Sequence, residues 1–363
     1  MIRTFHPIGQ GGFVTERFTS FNMVYDCGSL TNNKILEEQI NNAFYPDEKI
    51  DLLFISHFDA DHINGIDLLK SRYKIKRVII PLLTDKEIQV QIFVNENVYN
   101  FSNSIIVESP EEYFGSETNI IRVTPTGEDD TILEGTTDPT KLDKTIRSGR
   151  KIGIGNWCFV PFNFKFSERS PDLLKKLKLN KIKPENPNSI LNKNDKIKEA
   201  YYSIRGKLNG NSMILISYGQ GKDQNISQFS HRSHLRHPNF RRFDRFYLDE
   251  SGLQGNGCLY FGDFNLRIDS AFRDIETRIK SIINSIGTIQ IPHHGSFHNF
   301  DKRILFFNNP DYHLFSCIIQ AGFHNRFGHP SPIVIHDIIC TKNHLSVVTE
   351  EQETIVYQNI DGF

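Results

Sequence analysis

Short apolar runs broken by polar turns open the chain. "GGFVTERF" and "FNMVYDCGS" are β-rich segments on either side of a brief turn, and Asp26 stands at the end of the second. "KIDLLFISH" places a buried strand at Asp51 to Ile55, "INGIDLLKSRY" has helical spacing, and "KIKRVIIP" is again a strand. Strand, loop, helix, strand is the repeating unit of an α/β protein.

The middle is less regular. Residues 125–150 are polar and predict a long loop, "NWCFVPFNFKF" a strand, and the basic stretch "KKLKLNKIKPENP" an inserted helical hairpin or mobile lobe at about 165–200. After the strand "NSMILISYG", residues 222–256 interrupt the pattern as a second insertion. Order returns with the strand "GCLYFGD", the amphipathic "DSAFRDIETRIKSIINSIG" and the strands "TIQIPHHGS" and "YHLFSCIIQAG". Ser331 as N-cap and Pro332 at the first helical position start "PIVIHDIICTK", and two short strands follow. The expectation is one α/β domain over residues 1–363 carrying two insertions.

Bulk properties narrow this only slightly. The 42 basic and 43 acidic residues nearly cancel, so any affinity for nucleic acid must come from local patches. No h-region opens the chain and no apolar run approaches a membrane span, which predicts a cytoplasmic protein without membrane partners. Five scattered cysteines without a CxxC pair read as buried thiols.

The chemistry is concentrated in "SHFDADHING". In an extended segment His57, Asp59 and Asp61 point to one side, and His62 begins the next turn. Asp263 and His293 or His294 each follow a strand. Histidines and aspartates delivered by three strand ends are what a metal centre requires. A polar surface loop with N-capping aspartates would look similar if "SHFDADH" stood alone.

It does not stand alone. "SHFDADH" resembles the HxHxDH signature of the metallo-β-lactamase superfamily, with Asp59 where the commoner form has histidine. With "YFGDFN", "IPHHGS" and "NRFGHP" following in order, the chain is similar to the hydrolase domain of bacterial competence DNA-uptake channel proteins. The resemblance covers most of residues 1–125 and 205–360. It implies an αββα sandwich with two divalent ions at one edge. His57 and Asp59 would hold one ion, Asp61 and His62 the second, and Asp263 would bridge them. One histidine of "HHGS" would complete the second site, His293 being favoured and His294 its rival. Asp26 would be a structural aspartate that hydrogen-bonds within the ligand loop. Two departures count: no histidine lies between His62 and His231, as in the uptake-channel type, and the channel's membrane segments are missing.

A carboxylate in place of an imidazole hardens the first site, favouring Mn²⁺ or Mg²⁺ without excluding Zn²⁺. The implied chemistry is a hydroxide held between two ions attacking phosphorus. His329 is the candidate proton donor, or else a packed loop histidine. Arg326 is the candidate phosphate contact, and Asn211 and Ser212 the candidate cleft lining. In the second insertion His231, His234 and His237 read as a solvated basic stretch rather than a further metal site. Its alternating arginines and phenylalanines would either grip a nucleic-acid strand or cover the protein's own core. The favoured function is a phosphodiesterase or nuclease. The alternatives are a small-molecule hydrolase acting on a cyclic nucleotide, lactone or thioester, and a non-catalytic binding protein. Oligomeric state is not legible.

Overall fold

The computed structural model describes residues 1–127, 131–164, 169–184, 190, 193–203, 212–220, 226–230, 255–307 and 314–360. Asn211 and the 231–246 histidine and arginine stretch lie outside them. Among the described residues, the strands build two large sheets. The first runs Thr145–Ile146, Asn119–Val123, Arg77–Pro81, Leu52–Phe54, Asn22–Ser29, Gly11–Arg17, Ile2–Phe5, Val356–Ile360, Ile226–Ser230 in spatial order. The second runs His344–Val348, Ser316–Gln320, Ile286–Gln290, Gly257–Tyr260, Ile214–Gly219, Trp157–Phe162, Lys151–Ile154, Thr136–Thr137.

Strand alternation sorts side chains between layers. Met23, Tyr25, Leu52, Phe54, Leu215 and Tyr260 meet in a core between the sheets. Their neighbours Val24, Leu53 and Ile55 face outward onto Leu36, Ile40, Ile66 and Leu69 of the flanking helices Asn33–Ala43 and Ile66–Arg72. Ile214, Ile216 and Leu259 likewise cover helices Asp269–Ile279 and Pro332–Cys340. Helix, sheet, sheet, helix is the αββα order expected. Five successive strands of the first sheet and four of the second are parallel, and their carboxyl ends carry the chemically notable residues.

Ser331 caps its helix as expected, accepting from the Ile333 amide. The helix from Asp269 is shorter than its pattern. It stops at Ile279, because Ile282 and Ile283 turn inward to join the outer core. Cys340 departs from the buried-thiol expectation; the other four cysteines are buried, but this one ends an exposed helical turn.

Helix α1 (Asp85–Asn97) was not anticipated by periodicity. A capping box starts it, with the Glu87 amide donating to Thr84 Oγ1 and the Thr84 amide to the Glu87 carboxylate. Its apolar residues point two ways. Ile88 and Ile92 pack on the first sheet's helices, while Val90, Phe93 and Val94 join a separate cluster. That cluster is completed by α2 (Arg169–Leu179) and α3 (Asn194–Tyr202), through Leu173, Leu177, Ile197 and Tyr201. The first expected insertion thus contains a helix pair docked on α1.

One polar network crosses the inter-sheet core. Arg3 Nε donates to Glu16 Oε1 at 2.7 Å, with both side chains fully buried. Tyr260 donates to Glu16 Oε1 at 2.7 Å, and Ser217 to Oε2 at 2.6 Å. Arg3 Nη1 also reaches Gln358 Oε1 at 2.9 Å. Both oxygens of the buried Glu16 carboxylate thus accept hydrogen bonds, which is the condition for tolerating the pair.

On the opposite face of the same strands His6 lies buried, its Nε2 at 3.0 Å from Thr15 Oγ1 and its ring stacked on Phe13. Burial pushes this imidazole down to about 3. Below pH 6.5 the unfolded chain takes a proton that the folded chain refuses, so stability falls as pH drops through that window. Between pH 7 and pH 5 His6 alone should cost about 2 kcal/mol. Urea unfolding at the two pH values should show this loss in the wild type, reduced by that amount in His6→Gln.

Candidate metal centre

The ligand loop leaves the strand Leu52–Phe54 and becomes helical at Ala60. His57 and Asp59 are therefore extended, but Asp61 and His62 are placed by a helical turn rather than by strand alternation. Glycines make room for it. A Cβ on Gly12 would lie 2.8 Å from His62 Nδ1, and one on Gly28 2.7 Å from the backbone of residues 61–63. The "GQGG" and "CGS" segments are thus fitted against the ligand turn.

Asp263 stands at the centre. Its Oδ1 lies 3.2 Å from His62 Nε2 and 3.6 Å from His294 Nε2; its Oδ2 lies 3.4 Å from His293 Nε2 and 3.8 Å from His57 Nε2. His294 Nε2 is also 3.3 Å from Asp61 Oδ2. Two groupings have metal-ligand geometry, His57 with His62 and Asp263, and Asp61 with His62 and His294. Of the two histidines, the structure groups His294 with Asp61 and His62, whereas His293, favoured from sequence for that position, approaches the other Asp263 oxygen. The cause is backbone curvature. His293, His294 and Gly295 have φ of 48, 55 and 77°, three consecutive left-handed residues that turn neighbouring rings apart.

The rings of His57, His62 and His294 are oriented from behind. Asp26, itself at φ 55°, accepts from the Ser56 amide and hydroxyl, both at 2.7 Å, and lies 2.8 Å from His62 Nδ1. The Ser56 hydroxyl proton is committed to Asp26, so its oxygen accepts from His57 Nδ1 at 2.8 Å. His294 Nδ1 donates to the Gln320 carbonyl at 2.8 Å. Protons fixed on Nδ1 leave the three Nε2 lone pairs facing inward, as metal-ligating histidines require. Gln320 in turn donates to the His6 and Phe13 carbonyls, tying this corner to the first sheet.

His57 Nε2, His62 Nε2 and Asp61 Oδ1 are buried and make no hydrogen bond. Such groups are costly unless something fills the space between them. The charges carry the same demand. Burial, then the His62 charge, lower the His57 pKa, so this ring is neutral. Against burial, Asp26 and Asp263 raise His62 well above the ordinary value. Also against burial, His294 and His62 hold Asp61 at about 2. His293, His62 and His294 hold Asp263 well below the carboxylate range in spite of its burial. A pocket that draws a proton onto a buried imidazole answers equally to a cation, and the donor set fits a divalent ion.

Residues 17–90 match the family model of the metallo-beta-lactamase superfamily. The αββα layering is that of the metallo-β-lactamase fold, and the matched segment contains Asp26 and the whole ligand turn. Asp263, His293 and His294 lie outside it and are joined to it by the tertiary structure. Solved structures resemble the chain distantly. The metallo-beta-lactamase fold protein YhfI from Bacillus subtilis is 9% identical, with 99% of each chain covered and a TM-score of 0.41. The short form of human tRNase Z is 9% identical, with 98% of each chain covered and a TM-score of 0.38. The metallo-beta-lactamase MIM-1 from Novosphingobium pentaromativorans is 10% identical, over 80% of this chain and 76% of that one, with a TM-score of 0.33. The search of curated proteins found no match. Among the described residues, no helix is long and apolar enough to cross a membrane.

The remaining expected residues divide. His329 is buried beside the site, its ring centroid 5.3 Å from that of His293. Asn325 holds its loop, accepting from the His329 and Phe327 amides. Arg326 is exposed on the same loop, over Phe327. Ser212 does not line the cleft as expected. It is fully buried behind the ligands, 3.3 Å from His57 Nδ1, and accepts from the Asp263 amide at 3.1 Å. Asp59 Oδ2 is 3.9 Å from His57 Nε2 and accepts from Tyr99 and Tyr201, while its Oδ1 accepts from Gln91; none of these three was foreseen from sequence. Nor was Arg267, four residues after Asp263, whose guanidinium lies 4.4 Å over exposed Phe297 on the loop after His294.

Proposed function

We propose that this protein is a metal-dependent hydrolase of phosphodiesters, with nucleic acid as its substrate class. The observation that carries the reading is the convergence of the buried, unbonded His57 Nε2, His62 Nε2 and Asp61 Oδ1 around Asp263. Divalent ions held there supply Lewis acidity and bring the pKa of a coordinated water toward neutrality. His57, Asp59 and Asp263 Oδ2 would hold one ion, with His293 beside them. Asp61, His62, His294 and Asp263 Oδ1 would hold the other. The mixed carboxylate and imidazole set suits Mn²⁺ or Zn²⁺, with Mg²⁺ as a third choice.

The chain's own residues then divide the work. Asp26, Ser56 and the Gln320 carbonyl keep the ligand tautomers. Addition of water to phosphorus breaks the bond to the leaving oxygen, and His329 supplies a proton to that oxygen as it departs. Arg326, and Arg267 stacked on Phe297, stand at the rim as contacts for flanking phosphates and an unstacked base. The motif order resembling the competence-channel hydrolase favours DNA among the nucleic acids.

The test is a substrate panel with Mn²⁺, Zn²⁺ or Mg²⁺. It comprises labelled single- and double-stranded DNA, RNA and bis-p-nitrophenyl phosphate, with EDTA as control. Metal-dependent cleavage of both an oligonucleotide and the ester is expected. Cleavage of the ester alone would replace nucleic acid by a small-molecule substrate. Bound metal with neither cleaved overturns the proposal.

A further inference from the structure

Asp59 is held differently from every other acidic residue at the centre. Gln91 Nε2 donates to its Oδ1 at 2.7 Å, while Tyr201 and Tyr99 donate to its Oδ2 at 3.0 and 3.3 Å. The two phenol oxygens are 2.9 Å apart. Asn95 adds a fourth tie to the same loop, donating to the Phe58 carbonyl at 2.8 Å. None of these donors belongs to the sandwich. Gln91 and Asn95 come from α1, Tyr99 follows it, and Tyr201 comes from α3. Tyr201 is also part of the apolar cluster that docks α2 and α3 on α1.

We propose that α1 and the docked helix pair are positioning elements for Asp59, so that retention of the divalent ion on the His57 side of Asp263 depends on docking of the lobe. The inference rests on the metal reading above. These three donors are neutral. A lysine or arginine in their place would cancel the Asp59 charge and repel a cation; two phenols and a carboxamide fix its rotamer while leaving that charge in place. Because Tyr201 contributes both to the apolar cluster and to the Asp59 contact, seating the lobe and aiming the ligand are one event.

The test is metal binding to the whole protein carrying Tyr99→Phe together with Tyr201→Phe. Mn²⁺ titration should show one of two equivalents weakened by about 10- to 100-fold and the other unchanged. The visible absorption of the Co²⁺-loaded protein should shift as its coordination changes. Leu177→Ala, which loosens the lobe without touching Asp59, should weaken the same equivalent and speed proteolysis between α2 and α3. Tyr113→Phe, which removes a phenol from Asp67 elsewhere, should alter neither signal. A double-phenylalanine variant that keeps both equivalents at wild-type affinity, or loses both equally, overturns the proposal alone. A wild type that takes up no metal overturns it together with the functional reading.

Discussion

Asp263→Asn should lose hydrolysis by on the order of 10³-fold and give up at least one of its metal equivalents while remaining folded. The asparagine is nearly isosteric, so the packing around position 263 survives. What changes is charge. Among the described residues, Asp263 is the one carboxylate that faces four imidazoles, those of His57, His62, His293 and His294, within 3.2 to 3.8 Å. An amide removes the anionic charge from that position and presents N–H groups to at least one inward-facing lone pair. The measurements are metal content after gel filtration, far-ultraviolet circular dichroism, and turnover of bis-p-nitrophenyl phosphate. A variant that holds two equivalents and hydrolyses the ester at near the wild-type rate would remove Asp263 from the centre of the mechanism.

The second large effect is on stability. Glu16→Ala should destabilise the fold by about 3–5 kcal/mol, because Arg3 is left charged and buried without its counter-ion. Tyr260 and Ser217 lose their acceptor in the same step. Paired replacement, Arg3→Met with Glu16→Leu, should recover part of that loss, since neither desolvated charge then remains. Denaturant midpoints for the wild type, Arg3→Met, Glu16→Leu and the double variant close the cycle. Additive losses in the double variant would show that the two side chains do not act as a pair.

What was legible in the sequence was local. His57, Asp59, Asp61 and His62 lie within six positions, and Asp263 and the His293–His294 pair each follow a clear apolar strand. The layer order was implied by the family resemblance, and alternation realises it in Leu52, Leu53 and Phe54, which divide between two cores. What was not legible depended on partners far along the chain. Tyr201 reaches Asp59 across 142 positions, and nothing near either residue announces the contact. Helix α1 was missed because it is covered on two sides, which erases the single apolar stripe by which a surface helix is known. Arg3 and Glu16 sit at core-facing positions of strands where pattern alone expects apolar residues; only the crossing network explains them. The choice between His293 and His294 turned on left-handed backbone, a feature that residue type does not encode for histidine.

That curl has a consequence for redundancy. Two adjacent histidines look like a primary and a spare, yet they reach different oxygens of Asp263. Neither ring can stand in for its neighbour without unwinding the turn, so the doublet behaves as two separate parts, and deletion of one residue would misplace both.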